Sequence, residues 1–292
     1  AHQLAGRLVD YEEVGGCRRH CIALLGRGAT EGQPAQHDGQ QAPQHAHRFG
    51  HPTSVHSVVA DRIASGSMPG RREPGRARRG IREPVNGLTH ILGAVVALVA
   101  TVPLVLLTRG DWLDRAASVV FGLTSVVLFV ASSLLHSLWV EPSREVWLRR
   151  FDHAAIFTLI AGTYTPILVQ ALRPDSPRLA WTVLAVVWAI ALLGLVFKLL
   201  WIDAPRWLST ALYLLMGWLV VGAIVPVTRA LGPAGLAWLV AGGLAYTVGA
   251  VIYALKRPNL RPGFGFHELW HVLVLAGWAC HAVMVYRVAL AA

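Results

Sequence analysis

The chain has 292 residues, of which 54% are hydrophobic and 14% charged, with a mean hydropathy of +0.50 and a formal net charge of +10. That composition excludes an ordinary soluble domain and places most of the polypeptide in lipid. The basic excess is no nucleic-acid signal, because its Arg and Lys residues are distributed along connectors as topology signals.

Residues 1–80 are rich in Gly, Gln, His and Arg and lack any apolar period that could build a core, so a disordered polar extension is expected there. Met68 opens a short leader carrying Arg71, Arg72, Arg76, Arg78, Arg79 and Arg82, which suits anionic lipid headgroups. On this reading residues 1–67 are an extension upstream of a native start at Met68. Cys17 and Cys21 flank Arg18, Arg19 and His20, and read as reduced thiols rather than as a metal or disulfide pair.

Residues 81–292 form the second unit. Seven apolar stretches of roughly 20 residues, the length that ~30 Å of hydrocarbon demands, fall near 85–107, 116–138, 150–171, 179–200, 207–228, 234–255 and 267–290. Lipid offers no partner to an open backbone, so each must be helical, and the expected fold is an all-α bundle of seven transmembrane helices. Gly242, Gly243 and Gly249 predict close helix packing, and Pro103, Pro166 and Pro226 predict kinks. One side of the membrane receives the Arg-rich leader together with Arg144, Arg149, Arg150, Lys198, Arg206, Lys256, Arg257 and Arg261. The other receives only Arg109, Arg115, Arg173, Arg178, Arg229 and Arg287. The positive-inside rule then puts the N-terminus in the cytoplasm and the C-terminus outside. The expected location is a bacterial inner membrane.

Within that frame four ionisable residues fall at one depth on the cytoplasmic side: His136 in the last turn of the second helix, Asp152 in the first turn of the third, and His267 and His271 in the seventh. Spacing of four stacks the last two on one helical face. Ionisable groups are expensive in a bilayer, and their coincidence on three helices predicts a buried ion held by His136, His267 and His271. Three imidazoles and one open position suit catalytic Zn2+. Asp152 would then accept a hydrogen bond from a water, and Ser132 lies one turn from His136. Taken singly, Asp152 also fits a helix N-cap and His136 the negative pole of a helix end. His90 and His153 read as supporting residues, and His281, fourteen residues past His267, sits ~21 Å too far along the helix to share the ion. His267 to His271 also spells H-E-x-x-H, the zincin pattern in which Glu268 would be the general base. Nothing downstream supplies a third ligand for a metalloprotease, so Glu268 is expected to face headgroups or to support the ligands from behind.

The stretches Ser132–His136, Phe151–His153, Ala161–Pro166, Arg206–Thr210 and Phe264–His271, with His281 and the Glu83-x-x-Asn86 run before His90, resemble the hemolysin III branch of the progestin and adiponectin receptor family. The resemblance covers about residues 82–290. It implies seven helices with the N-terminus inside, zinc on His136, His267 and His271, and Asp152 and Ser132 beside the reacting water. It also implies a relationship to ceramidase-type hydrolases, and hence catalysis by Asp152 and Ser132 on an amide or ester bond of a membrane lipid such as ceramide or another sphingolipid. Two other classes stand beside this one: a receptor or membrane-homeostasis protein with structural zinc, and, from the family name, a cytolysin. Seven uninterrupted spans fit a resident membrane protein better than an inserting toxin.

Overall fold

The computed structural model describes residues 80–291; the polar extension, its cysteines and Met68 lie outside the described residues. The regular elements described are all helical: α1 (Pro84–Leu107), α2 (Trp112–Ser137), α3 (Pro142–Pro166), α4 (Pro177–Leu200), α5 (Arg206–Gly217), α6 (Ile224–Leu255) and α7 (Phe266–Ala291). A π-helical turn, Ile167–Leu172, prolongs α3, and a 3-10 turn, Trp218–Ala223, joins α5 to α6. Pro84, Pro142 and Pro177 open their helices where a missing N–H costs nothing. Asp111 and Asp114 form a reciprocal capping box at the start of α2, with Asp111 Oδ1 accepting from the Leu113 and Asp114 amides at 2.8 and 3.1 Å.

Among the described residues six segments are long and apolar enough to cross a bilayer, and the chain is a multi-pass integral membrane protein. The segment Arg206–Leu255 has 50 residues. Laid straight it would measure ~75 Å, more than twice the ~30 Å of hydrocarbon. It is broken at Gly232, where φ 64° and ψ 177° are open to glycine alone, and Pro233 follows.

Each helix sorts its side chains by what surrounds it. In α1 the buried positions are Asn86, Gly87, His90, Gly93, Ala97 and Leu104; from Gly87 onward they are spaced by threes, fours and sevens, so one side of the helix faces the bundle. Leu92, Val99 and Leu106, exposed by 62, 65 and 77%, form the opposite face, which only lipid tails can cover. A first core gathers Phe121, Leu128, Phe129, Trp278, Met284 and Val285 between α1, α2 and α7. A second gathers Phe157, Leu168, Val187, Tyr213 and Met216 between α3, α4 and α5.

Several expectations need correction. α3 begins at Pro142 rather than near residue 150, because Pro142 starts the helix and Glu145, bonded to Arg149 at 3.3 Å and to Arg82 at 2.8 Å, sustains a polar overhang. Asp152 therefore lies about three turns into α3 and cannot be its N-cap. Lys198 is not in a connector: it is buried in the last turn of α4, with Nζ donating to Ser209 Oγ at 2.5 Å. Gly242 and Gly249 do mark close contacts, since a Cβ at Gly242 would lie 2.3 Å from the His281 ring and one at Gly249 3.0 Å from Trp270. Gly243 faces open space.

Two polar devices hold the irregular stretches. Tyr164 Oη donates to the carbonyls of Gly217 (2.7 Å) and Met216 (3.2 Å) and accepts from the Val220 amide (2.8 Å), serving the groups released where α5 gives way to the 3-10 turn. At the end of the bundle away from His136, the π-helical turn presents Gln170 to the Asp114 carbonyl (2.7 Å) and Ser118 Oγ (2.8 Å), while Arg173 bonds Asp111 at 2.9 Å and Asp114 at 3.0 Å. Burying Gln170 in this way depends on the extra residue per turn that a π-helix provides.

Gly232 gives a direct test of the break. Gly232→Ala meets no atom, so its whole effect is backbone strain, expected at about 1–3 kcal/mol. Thermal unfolding in detergent should show a lowered midpoint for Gly232→Ala and an unchanged one for Gly243→Ala.

Candidate metal centre

The His136 end of the bundle is built from the termini of three helices. α2 ends after His136, and its last carbonyls need partners. They find them in the segment leading into α1, where the Glu83 amide donates to the His136 carbonyl (2.8 Å) and the Arg82 amide to that of Ser137 (3.3 Å). Gly87 permits this approach: a Cβ there would stand 2.5 Å from Ser137 Oγ. α7 begins beside them, with Glu268 Oε2 reaching back to the Gly265 amide (2.7 Å) as half of a capping box.

These termini bring His136, His267 and His271 together, with one ring nitrogen from each lying within 4.8 Å of the others. The ring centroids are 4.7 Å (His136–His271), 5.0 Å (His267–His271) and 5.1 Å (His136–His267) apart. Four-coordinate zinc with Zn–N bonds of ~2.0–2.1 Å separates its nitrogens by ~3.4 Å. The set is therefore open by about an ångström relative to a closed site, well within what side-chain rotation recovers. His136 and His271 are buried and His267 partly so, in surroundings poor in competing water.

Two of the rings have one nitrogen already committed. His136 Nδ1 lies 2.7 Å from Glu83 Oε2, and His271 Nδ1 lies 3.0 Å from His90 Nε2. The nitrogen left for an ion is in both cases Nε2. Burial pushes the Glu83 carboxyl up, but the hydrogen bond and charge of His136, helped by the Asn86 amide, outweigh it and hold the group at about 2. Glu83 is thus a carboxylate at any physiological pH, and His136 Nδ1 must be the donor. The donor set, its burial and its outer hydrogen bonds all fit zinc.

The remaining residues are placed as follows. Ser132 is 2% exposed on α2, one turn from His136. Asp152 stands on α3 with its side chain 14% exposed and Oδ2 3.8 Å from His153 Nδ1; it is not one of the converging ligand groups. His281 points elsewhere, donating Nε2–H to the Leu239 carbonyl at 3.1 Å. Glu268 does not face headgroups: one oxygen caps α7 and the other accepts from Asn86 Nδ2 at 3.3 Å. Reasoning from the sequence placed Glu83 only in the Glu83-x-x-Asn86 run and gave it no part in the histidine cluster. Its only signal was Asn86 one turn further on, a buried amide that also bonds Glu83 Oε2 at 2.9 Å.

The H-E-x-x-H pattern is therefore explained locally by helix capping. Glu268→Gln keeps an oxygen for the Gly265 amide, and should retain fold, metal content and any turnover. Glu268→Ala should cost about 1 kcal/mol of stability through the lost cap. Paired thermal melts and metal analyses check both.

The family described as Haemolysin-III related matches residues 79–282. A hemolysin-3 homolog from Bacillus subtilis (strain 168) is 37% identical over 199 residues, covering 68% of this chain and 89% of that protein. Hemolysin-3 of Bacillus cereus is 36% identical over 199 residues, covering 68% and 87%. The heptahelical transmembrane protein ADIPOR2 of Oryza sativa subsp. japonica is 30% identical over 198 residues, covering 60% and 83%. The matched region spans the helices that carry all of Glu83, His90, Ser132, His136, Asp152, His267 and His271, and the chain belongs to the haemolysin III family, within the wider progestin and adiponectin receptor group.

Proposed function

We propose that this protein is a zinc-dependent hydrolase of an amide or ester bond in a membrane lipid, ceramide-like in architecture, acting at the cytoplasmic face of a bacterial inner membrane. The observation that carries the reading is the convergence of three histidines from two helices with the Nδ1 atoms of His136 and His271 already engaged. His136, His267 and His271 would hold the ion. Zinc bound there supplies a Lewis acid and lowers the pKa of water towards ~7.

The chain's own groups complete the chemistry. Asp152, on the helix facing the ligands, orients the attacking water, takes its proton, and passes it to the departing amine or alcohol. Ser132 donates a hydrogen bond to the oxyanion that develops on the attacked carbonyl. The site lies within about two turns of the ends of α1, α2 and α7. An amphiphile fits this depth: its scissile carbonyl reaches the ligands while its chains stay in hydrocarbon.

The same proposal includes seven spans. The break at Gly232 and Pro233 divides Arg206–Leu255 into two crossings, and the printed name of the rice relative describes seven helices for that protein. With the Arg-rich leader inside, the ends of α2 and α7 that carry the histidines face the cytoplasm. The second reading is a receptor in which zinc is structural. It differs in one measurable respect, the absence of turnover.

Purified protein should carry about one zinc per chain, and prolonged chelation should remove it together with hydrolysis of a short-chain ceramide. His267→Ala with His271→Ala should abolish both. Asp152→Asn should keep the metal and lower turnover by a factor of ~100 or more, the scale of a general acid–base contribution. Metal retained and no hydrolysis of any amide or ester lipid in the wild type would leave the receptor reading standing instead.

A further inference from the structure

α1 supplies no residue to the three-histidine set, yet it touches two of the three rings. Its N-cap residue Glu83 lies 2.7 Å from His136 Nδ1, and His90, two turns further along the same face, lies 3.0 Å from His271 Nδ1. The two contacts come from one buried stripe that includes Asn86, Gly87 and Gly93. A Cβ at Gly93 would lie 2.8 Å from Leu275 on α7 and 3.0 Å from Phe129 on α2, so α1 is pressed against both ligand-bearing helices.

We propose that α1 is the positioning element of the metal centre, with Glu83 and His90 setting the tautomer and aim of His136 and His271 and thereby the affinity for zinc. The inference rests on the zinc reading above and adds to it which residues make the site tight. An imidazole binds a metal through one nitrogen only if its proton sits on the other, and a fixed acceptor on that proton both selects the tautomer and raises the basicity of the ligating nitrogen.

Glu83 is that acceptor for His136. Its carboxylate is steadied on three sides: Asn86 Nδ2 donates to Oε2 at 2.9 Å, Arg82 Nε lies 3.7 Å from Oε1, and its own backbone amide is tied to the His136 carbonyl. His90 plays the same part for His271, with a difference. For His271 to present Nε2 to an ion, its Nδ1–H must donate to His90 Nε2, which puts the proton of His90 on Nδ1. That atom is buried and has no hydrogen-bond partner. Glu83 thus commits His136 outright, whereas the His90–His271 pair can hold its shared proton in either direction, and only one direction leaves His271 competent to bind.

The test is zinc affinity by chelator competition on the full chain in detergent, with apo thermal midpoints as the control for folding. Glu83→Gln keeps shape and a neutral acceptor, and should weaken zinc binding by ~10-fold; Glu83→Ala should weaken it by up to ~100-fold, the range such outer contacts carry. His90→Phe removes the acceptor for His271 and should weaken binding by at least ~10-fold. His90→Gln restores an oxygen acceptor and should recover most of that loss, which a merely space-filling role for His90 does not predict. Glu145→Gln, which weakens the partly buried pair to Arg82 away from the histidines, should leave affinity within about twofold. Wild-type affinity in Glu83→Gln, Glu83→Ala and His90→Phe alike would overturn this inference and leave the zinc reading intact. A wild-type chain that binds no zinc would overturn the zinc reading, and this inference with it.

Discussion

Hydrocarbon gives a polar group nothing to bond to except another part of the protein, and that constraint governs every irregularity in this bundle. The last carbonyls of α2 are answered by the amides of Arg82 and Glu83, the first amide of α7 by Glu268, and the loosened ladder beyond α5 by a single phenol. Histidine in such surroundings is tolerated when its donor nitrogen has an acceptor. His136 has one in Glu83, and His271 meets His90 through the same ring position. The three imidazoles that result lie with one nitrogen each within 4.8 Å of the others.

The helices divide their work accordingly. α2 and α7 carry the three clustered histidines, α1 carries the Glu83 and His90 contacts to two of them, and α3 reaches Asp152 after the polar turns that begin at Pro142. α4 and α5 pack with α3 into a second body through Phe157, Val187 and Tyr213, fastened at the His136 end by Lys198 and Ser209. Glu268 shows how a sequence pattern can carry two meanings. The residue that would be a base in a soluble metalloprotease is here bound to a helix amide and to Asn86, because a helix that starts within the membrane boundary needs its first donors satisfied before anything else.

Much of this was legible in the sequence. Apolar run length located the helices to within a few residues at most ends, since a bilayer imposes a length on any span, and the shared depth of His136, His267 and His271 foretold their meeting. What escaped detection depended on short-range geometry. The start of α3 lay hidden because Pro142–Arg150 is too polar to register as a span, although Glu145 and Arg149 support it as a helix. Glu83 was given no part in the cluster because nothing in a linear reading says that the end of α2 folds back beside it. Gly243 was grouped with its packing neighbours because glycine spacing alone cannot tell which side of α6 is turned to α7. The separation of 207–228 from 234–255 agrees with the break at Gly232 and Pro233, where the chain is deflected without a long loop.

The phenol of Tyr164 carries a further implication. One hydroxyl on α3 answers three main-chain groups at the point where α5 changes pitch, so the bend and the third helix form one mechanical unit. Withdrawing α3 would take that partner from two carbonyls and an amide in an apolar setting. The turn between α5 and α6 is thereby held by a side chain of a neighbouring helix and not by its own backbone alone.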